Sequence, residues 1–213
     1  TKNLNGENIE SAGSIEIFKL KAPEHVLRSR PWNAPDYQTI SEKEFRTKYP
    51  HDAYTNEDNY LYWKKGRKVF SSEFNTANKS EQTIKGLRKW DSGKYVAILK
   101  TKDKFGQTVE AKQFFTLSSI KDHLPFDQQL ISVSTHKKKY NIGDTATITV
   151  SSNSENISLV LLIEKDHTVY AKHYVHLDKS QKKFSVPVTE EDLGGFGIEW
   201  YFVQYNSFQK GQL

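Results

Sequence analysis

One turn and the strand after it constrain this chain more than any other stretch. Asn141-Ile142-Gly143-Asp144 ends an aromatic-led loop, and Thr145-Ala146-Thr147-Ile148-Thr149-Val150 follows it. Gly143 supplies a backbone angle that a side chain resists, and Asp144 can bond its own backbone to hold the corner. The alternation of three threonines with Ala146, Ile148 and Val150 predicts a strand with one face in a core and the other in water. The rest of the second half repeats that logic. Strands are expected near 130–135, 144–151, 157–164, 168–177, 182–188 and 197–205. Ile157, Leu159, Leu161 and Ile163 form one apolar face, and Phe184, Val186 and Val188 another. Ile198, Trp200 and Phe202 oppose Tyr201, Val203 and Tyr205. Short strands with turn signals between them, and no crossover helices, predict a sandwich rather than a parallel sheet.

The first half is less regular. Ser14 to Leu20 alternates with apolar residues on both faces, which suits a covered strand. Tyr95, Ala97 and Leu99 are expected to point inward from a strand that turns at Asp103-Lys104-Phe105-Gly106. Its return partner places Val109, Ala111, Phe115 and Leu117 on one face, closing an immunoglobulin-like hairpin. Between these strands, about 21–89 reads as a long insertion broken by Pro23, Pro31, Pro35 and Pro50 and rich in aromatics. Within it, Ser41-Glu42-Lys43-Glu44 has capping-box spacing and predicts a short helix over about Glu42 to Lys48, with Phe45 and Tyr49 one turn apart. The expected class is all-β: two tandem immunoglobulin- or fibronectin-like sandwiches, 1–118 and 130–213, joined by a polar linker, 119–129. A length of 213 residues accommodates both.

Composition removes several chemistries. The absence of cysteine excludes disulfides, thiolate metal sites and cysteine nucleophiles. No apolar run reaches the roughly 18 residues of a membrane span, and no signal peptide is visible. Thr1 reads as an unlikely natural start, so the chain is expected to be a piece of a longer protein. The net charge of +5 includes basic clusters at Lys64-Lys65-Gly66-Arg67-Lys68 and Lys137-Lys138-Lys139. Acidic residues are interspersed, so solvated strand edges explain these better than nucleic acid does.

Candidate constellations are weak. His173 and His176 lie at an odd separation and so on opposite faces of a strand, and a zinc site would need a third ligand such as His167. The acidic stretch from His51 to Asp58 lacks the Gly-centred loop of a calcium site. Glu190-Glu191-Asp192 sits beside Gly194-Gly195 as a solvated turn rather than an acid–base pair. No nucleophile elbow, phosphate loop or His-Glu-x-x-His is present. No catalytic, cofactor or metal residue is expected. The one possible contact surface is Trp32, Tyr60, Tyr62 and Trp63, which could line a sugar or peptide groove; serving as the insertion's own core is the commoner use.

The run from Tyr140 to Val150 resembles the opening of a macroglobulin-like domain. Leu159 to Glu164, Val175 to Leu177 and Phe184 to Val188 continue the likeness. Together they resemble the domain that leads into the bait region of bacterial alpha-2-macroglobulin-like proteins. Asn3 to Gly6, Ile17 to Leu20, Pro23, Arg28 to Trp32, Trp63, Trp90, Gly93 to Tyr95 and Asp103 to Gly106 resemble the preceding domain in Bacteroidetes-type members. The resemblance implies two consecutive macroglobulin-like sandwiches from a large periplasmic or cell-surface protease trap, lipid-anchored in some parents. In that family, cleavage of a bait segment triggers a rearrangement that entraps the protease, and many members then capture it through a Cys-Gln thioester. Without cysteine this stretch cannot carry the thioester, and no bait-like insertion is visible before Leu213. The expected role is a non-catalytic scaffold, whose partners are other domains of its parent and, through the full-length protein, target proteases. The rival expectation is a carbohydrate- or protein-binding surface module.

Overall fold

The computed structural model describes residues 5–28, 30, 32–78, 81–119, 121–165 and 168–213. It divides into two compact units, Thr1–Ala22 with Asn59–Ser119 and Pro23–Asp58 with Ile120–Leu213. Pro23–Asp58, read from sequence as part of the first domain's insertion, thus groups with the second unit. Both units are all-β, built on three antiparallel sheets.

The first unit contains β1 (Ala12–Leu20), β2 (Lys65–Asn75), β3 (Gly93–Lys102) and β4 (Thr108–Leu117), in the sheet order β2-β1-β3-β4. β3 is central, and its residues Tyr95 to Ile98 are buried on both faces. Tyr95 and Ala97 join Ile17, Trp90 and Phe115 on one side. Val96 and Ile98 join Leu20, Tyr60, Trp63 and Phe114 on the other. The expected alternation is therefore corrected: Leu99 and Val109 are exposed, because the hairpin tip reaches past both clusters. Tyr95 is the anchor. Its ring stacks between Trp90 and Phe115 at centroid distances of 5.5 and 5.4 Å, and its hydroxyl donates to the Asp91 carbonyl at 2.5 Å. The first basic cluster falls on β2, which lies at a sheet edge, where lysines oppose pairing with another chain.

The second unit is a two-sheet sandwich. Its strands are β5 (Ile131–Thr135), β6 (Thr145–Ser152), β7 (Ile157–Lys165), β8 (Thr168–Leu177), β9 (Gln181–Pro187), β10 (Phe196–Gln204) and β11 (Ser207–Gln212). One sheet is ordered β11-β10-β7-β8 and the other β5-β6-β9. Consecutive strands switch sheets at β6–β7, β8–β9 and β9–β10, as in fibronectin-like sandwiches. The core is the alternation read from sequence. Ala146, Ile148, Val150 and Val186 face Ile157, Leu159, Leu161, Ile163, Ile198 and Phe202, all nearly inaccessible to solvent. β11 is the strand of this unit that sequence reading missed. Its Gly211 lies under the Trp200 indole, where an added Cβ would stand 2.3 Å from a ring carbon.

The antiparallel registers define two ends of this sandwich. At one lie the Asn141–Asp144 turn, Lys165, Val188 and the Thr189–Gly195 loop. At the other lie the 153–156 and 178–180 turns and the Tyr205-Asn206 tip of the β10–β11 hairpin.

Candidate functional site

The segment Pro23–Asp58 belongs to the second unit and forms a strap with its own local order. Its helix α1 (Glu42–Lys48) spans the predicted residues. The Ser41 hydroxyl oxygen accepts from the Glu44 amide at 3.3 Å, while the Glu44 carboxylate turns instead to Lys48, 2.7 Å away. Arg46 bridges Glu42 at 2.7 Å and Glu57 at 2.9 Å. Burial pushes the Glu57 pKa up, but bonds from its own amide and from the Thr55 amide and hydroxyl, with Arg46 nearby, outweigh this and leave it below the ordinary carboxylate value. The Phe45 ring lies 5.2 Å from Tyr49 and 5.3 Å from Tyr54.

Both arms of the strap meet at the hairpin tip. The Arg28 amide donates to the His51 carbonyl at 2.8 Å, and His51 Nδ1 lies 3.1 Å from the Val26 carbonyl. Arg28 forks onto the Asp52 carboxylate and sends Nη1 to the Tyr205 carbonyl at 2.5 Å. That carboxylate raises the arginine's already high pKa, so its charge is fixed. The His51 imidazole stacks on the Tyr205 ring at 3.5 Å and 15°. The Tyr205 hydroxyl lies 2.5 Å from Ser154 Oγ.

Tyr205 and Asn206 are both left-handed, with φ of 50° and 56°, as a two-residue hairpin turn with the twist of its strands requires. Tyrosine is an uncommon choice there, since its Cβ crowds the following carbonyl. Asp127, Gln128, Asn156 and Lys179, also left-handed, belong to the loops of this same end, whereas left-handed glycines 143, 194 and 195 turn the opposite end. Non-glycine residues in this region persist where surrounding contacts over-determine them. The Arg28–His51–Ser154 grip on Tyr205 is such a set of contacts.

Beside this grip the strap and the hairpin tip enclose a cavity of about 470 Å³. Trp32, Pro35, Phe45, Tyr49 and Tyr54 supply apolar and aromatic wall. Arg28, Arg30, Gln38, Asp52, Asn206 and Ser207 supply polar atoms. Trp32 stands at the rim, 73% exposed. An aromatic-lined hollow with a few convergent polar groups is the usual form of a small recognition site.

The four residues read from sequence as a contact surface are divided. Trp32 is in the second unit, on the cavity. Tyr60, Tyr62 and Trp63 are in the first, where a single 3₁₀ turn carries them. Tyr60 and Trp63 pack on the Val96–Ile98 cluster, and Tyr62 is 66% exposed. Sequence reasoning passed over Asp52 and Tyr205 as partners of Arg28; the signal available was Asn206, a turn former between two alternating runs. His173 and His176 do lie on opposite faces of β8, His173 against the Phe184 ring and His176 beside Ser158, while His167 lies outside the described residues. Among the described residues no cluster of three or more His, Asp or Glu is arranged to hold a metal.

Of the acids in the Thr189–Gly195 loop, Glu190 and Glu191 are exposed, as a solvated turn requires, but Asp192 is not. Asp192 is buried, its side chain 1% exposed, with Lys165 Nζ 2.8 Å from Oδ1 and 3.0 Å from Oδ2. Oδ2 also accepts from the Thr189 amide at 2.7 Å. Lys165 and these Thr189 bonds hold the Asp192 pKa below the ordinary aspartate value despite burial.

No curated protein matches the chain. No helix in the described residues is long and apolar enough to cross a membrane. Residues 131–210, which span the sandwich from β5 into β11, match the family model described as the alpha-2-macroglobulin bait region domain, and that stretch of the second unit is similar to such a domain.

Proposed function

We propose that the chain is a pair of non-catalytic scaffold modules from a large bacterial alpha-2-macroglobulin-like protease inhibitor that works in the periplasm or at the cell surface. The observation that carries this reading is the family match over 131–210, on a sandwich whose interior is filled by aliphatic side chains and Phe202. A packed interior of this kind supplies rigidity and shape. Protease capture would then fall to other parts of the parent.

The test uses the full-length parent and the isolated 213 residues side by side. The parent should block a protease acting on large protein substrates while leaving small peptide substrates accessible, as physical entrapment requires. The isolated piece should change neither rate. Inhibition by the isolated piece at equimolar amounts, or turnover of any substrate by it, would overturn the proposal.

A further inference from the structure

We propose that the cavity between the strap and the β10–β11 hairpin is a peptide-recognition pocket, which takes a bulky apolar side chain adjacent to a carboxylate from a partner protein. This goes beyond a scaffold role and stands independently of it.

The chemistry of the occupant follows from which wall groups are already engaged. Arg28 is committed to Asp52 and to the Tyr205 carbonyl, and Asp52 is thereby neutralised. The Gln38 amide donates to the Tyr54 carbonyl, and the Tyr54 hydroxyl donates to the Ile40 carbonyl at 3.0 Å. A pyranose, which needs several bonds to its hydroxyls, therefore finds few partners left. What remains is apolar area from Trp32, Pro35, Phe45 and Tyr49, the small polar groups of Asn206 and Ser207 on the hairpin tip, and one cation.

That cation is Arg30. It gives Nη2 to the Ala53 carbonyl, which fixes its position, and among the described residues no carboxylate pairs with it. The cavity thus carries one uncompensated positive charge beside an aromatic hollow. A guanidinium held by one nitrogen and free along the rest of its fork is suited to a carboxylate. The volume of about 470 Å³ accommodates one large side chain with its flanking backbone. Trp32 at the rim supplies the flat, rigid contact area that dominates small interfaces.

The pocket is also preformed. Three ion pairs within the strap, the His51–Tyr205 stack and the Arg28 fork hold its walls without a ligand. Little ordering is then required of the protein when a peptide enters.

The test is isothermal titration and amide-shift mapping on the 213-residue chain with capped hexapeptides, glycine on both flanks. The central pairs are Asp-Phe, Phe-Asp, Asn-Phe and Asp-Ala, and a neutral xylohexaose is the sugar control. An acidic-aromatic peptide in at least one order should bind with a dissociation constant on the order of 1 mM or below. Shifts should be confined to the strap and the hairpin tip. The Asn-Phe and Asp-Ala peptides should each bind at least ~10-fold more weakly, the ratio a charge-assisted hydrogen bond or a buried ring supplies. Arg30→Gln should remove the Asp-over-Asn preference while leaving Asn-Phe binding within about twofold. Trp32→Ala, at an exposed position, should weaken every peptide. Equal binding of Asp-Phe and Asn-Phe, binding of the hexasaccharide instead, or absence of shifts with any peptide would each overturn the proposal. Because the peptide comparison is made on the unaltered chain, it stands even if Arg30→Gln fails to fold.

Discussion

The two ends of the second sandwich are closed by opposite means. At the Asp192 end the turns are local. Gly143 and Gly194-Gly195 provide the left-handed corners at little steric cost, and one ion pair, Lys165–Asp192, is nearly removed from water. At the Tyr205 end the left-handed corners are Asp127, Gln128, Asn156, Lys179, Tyr205 and Asn206, which are costlier there than glycine. That end is held by Arg28 and Asp52, a pair about one quarter to one third exposed, with Arg28 delivered from 177 residues before Tyr205 along the chain. The difference lies in how each end is held, since both carry a hollow, about 430 Å³ beside Asp192 and about 470 Å³ beside Trp32. The second adds strained corners and a half-open ion pair, and strain of this kind clusters at recognition sites.

The sharpest way to break that contrast is to remove Lys165. Lys165→Met leaves the Asp192 carboxylate buried with, among the described residues, the Thr189 amide and hydroxyl for company. Breaking a buried pair from one side costs about 3–5 kcal/mol. Urea unfolding followed by β-sheet circular dichroism should show the second unit's transition moving to markedly lower denaturant. A shift equivalent to under about 1 kcal/mol, the level of an exposed pair, would mean that the two ends do not differ in this respect.

Acid should separate the ends next. Lys165 and Thr189 hold Asp192 below its ordinary value, while its unfolded pKa is about 3.9. A depressed folded pKa gives stabilisation that is fully present above the unfolded value and is lost as pH falls through the folded one. Unfolding free energies between pH 7 and 2.5 should therefore drop at the acid end of that range. Lys165→Met, which removes the largest cause of the depression, should drop less over the same interval. Parallel pH profiles for the two proteins would contradict the assignment.

At the other end, Arg28→Met removes the fork to Asp52 and the bond to the Tyr205 carbonyl. Hydrogen bonds to charged groups contribute about 1.5–3 kcal/mol. Partial exposure of this pair places the expected loss toward the lower figure. The loss should be local. Amide exchange in 23–58 and at 204–207 should accelerate, whereas β6 and β7 keep their protection. Uniform acceleration across the sandwich would make the strap an integral layer of the core rather than a clamp on one end.

How much of this was readable follows from the range of the interactions. Thr145–Ser152 and Ile157–Lys165 announced themselves because each buries one face, and the alternation that does so is written locally. β11 escaped because Ser207–Gln212 carries Phe208 as its one large apolar residue, and that ring is exposed. The strand is held by backbone bonds to β10 and by the fit of Gly211 under Trp200. β2 escaped for a related reason. Its first four residues are Lys65-Gly66-Arg67-Lys68, and its pairing partners on β1 lie from 45 residues away (Leu20 and Lys65) to 63 (Ala12 and Asn75). Trp32 was legible as an exposed aromatic worth weighing. The cavity it borders was not, since Arg28 meets Tyr205 through tertiary geometry that no periodicity encodes. The buried Asp192 misled for the same reason: a carboxylate next to two glycines reads as solvated until Lys165 is seen beside it.

The smallest effect tests whether the left-handed corners of the Tyr205 end really carry strain. Gln128 has φ of 54°. In Gln128→Gly the crowding of Cβ against the following carbonyl, about 1–2 kcal/mol for an L-residue, is relieved. The unfolded chain gains freedom that offsets about 0.4–1 kcal/mol of this. A net gain of up to about 1 kcal/mol is expected, read as a small rise in the denaturation midpoint at unchanged slope. A loss instead would mean that the glutamine side chain makes contacts worth more than the corner costs. The left-handed residues at this end would then be there for what their side chains hold, and the distinction between the two ends would rest on the partly exposed Arg28–Asp52 pair alone.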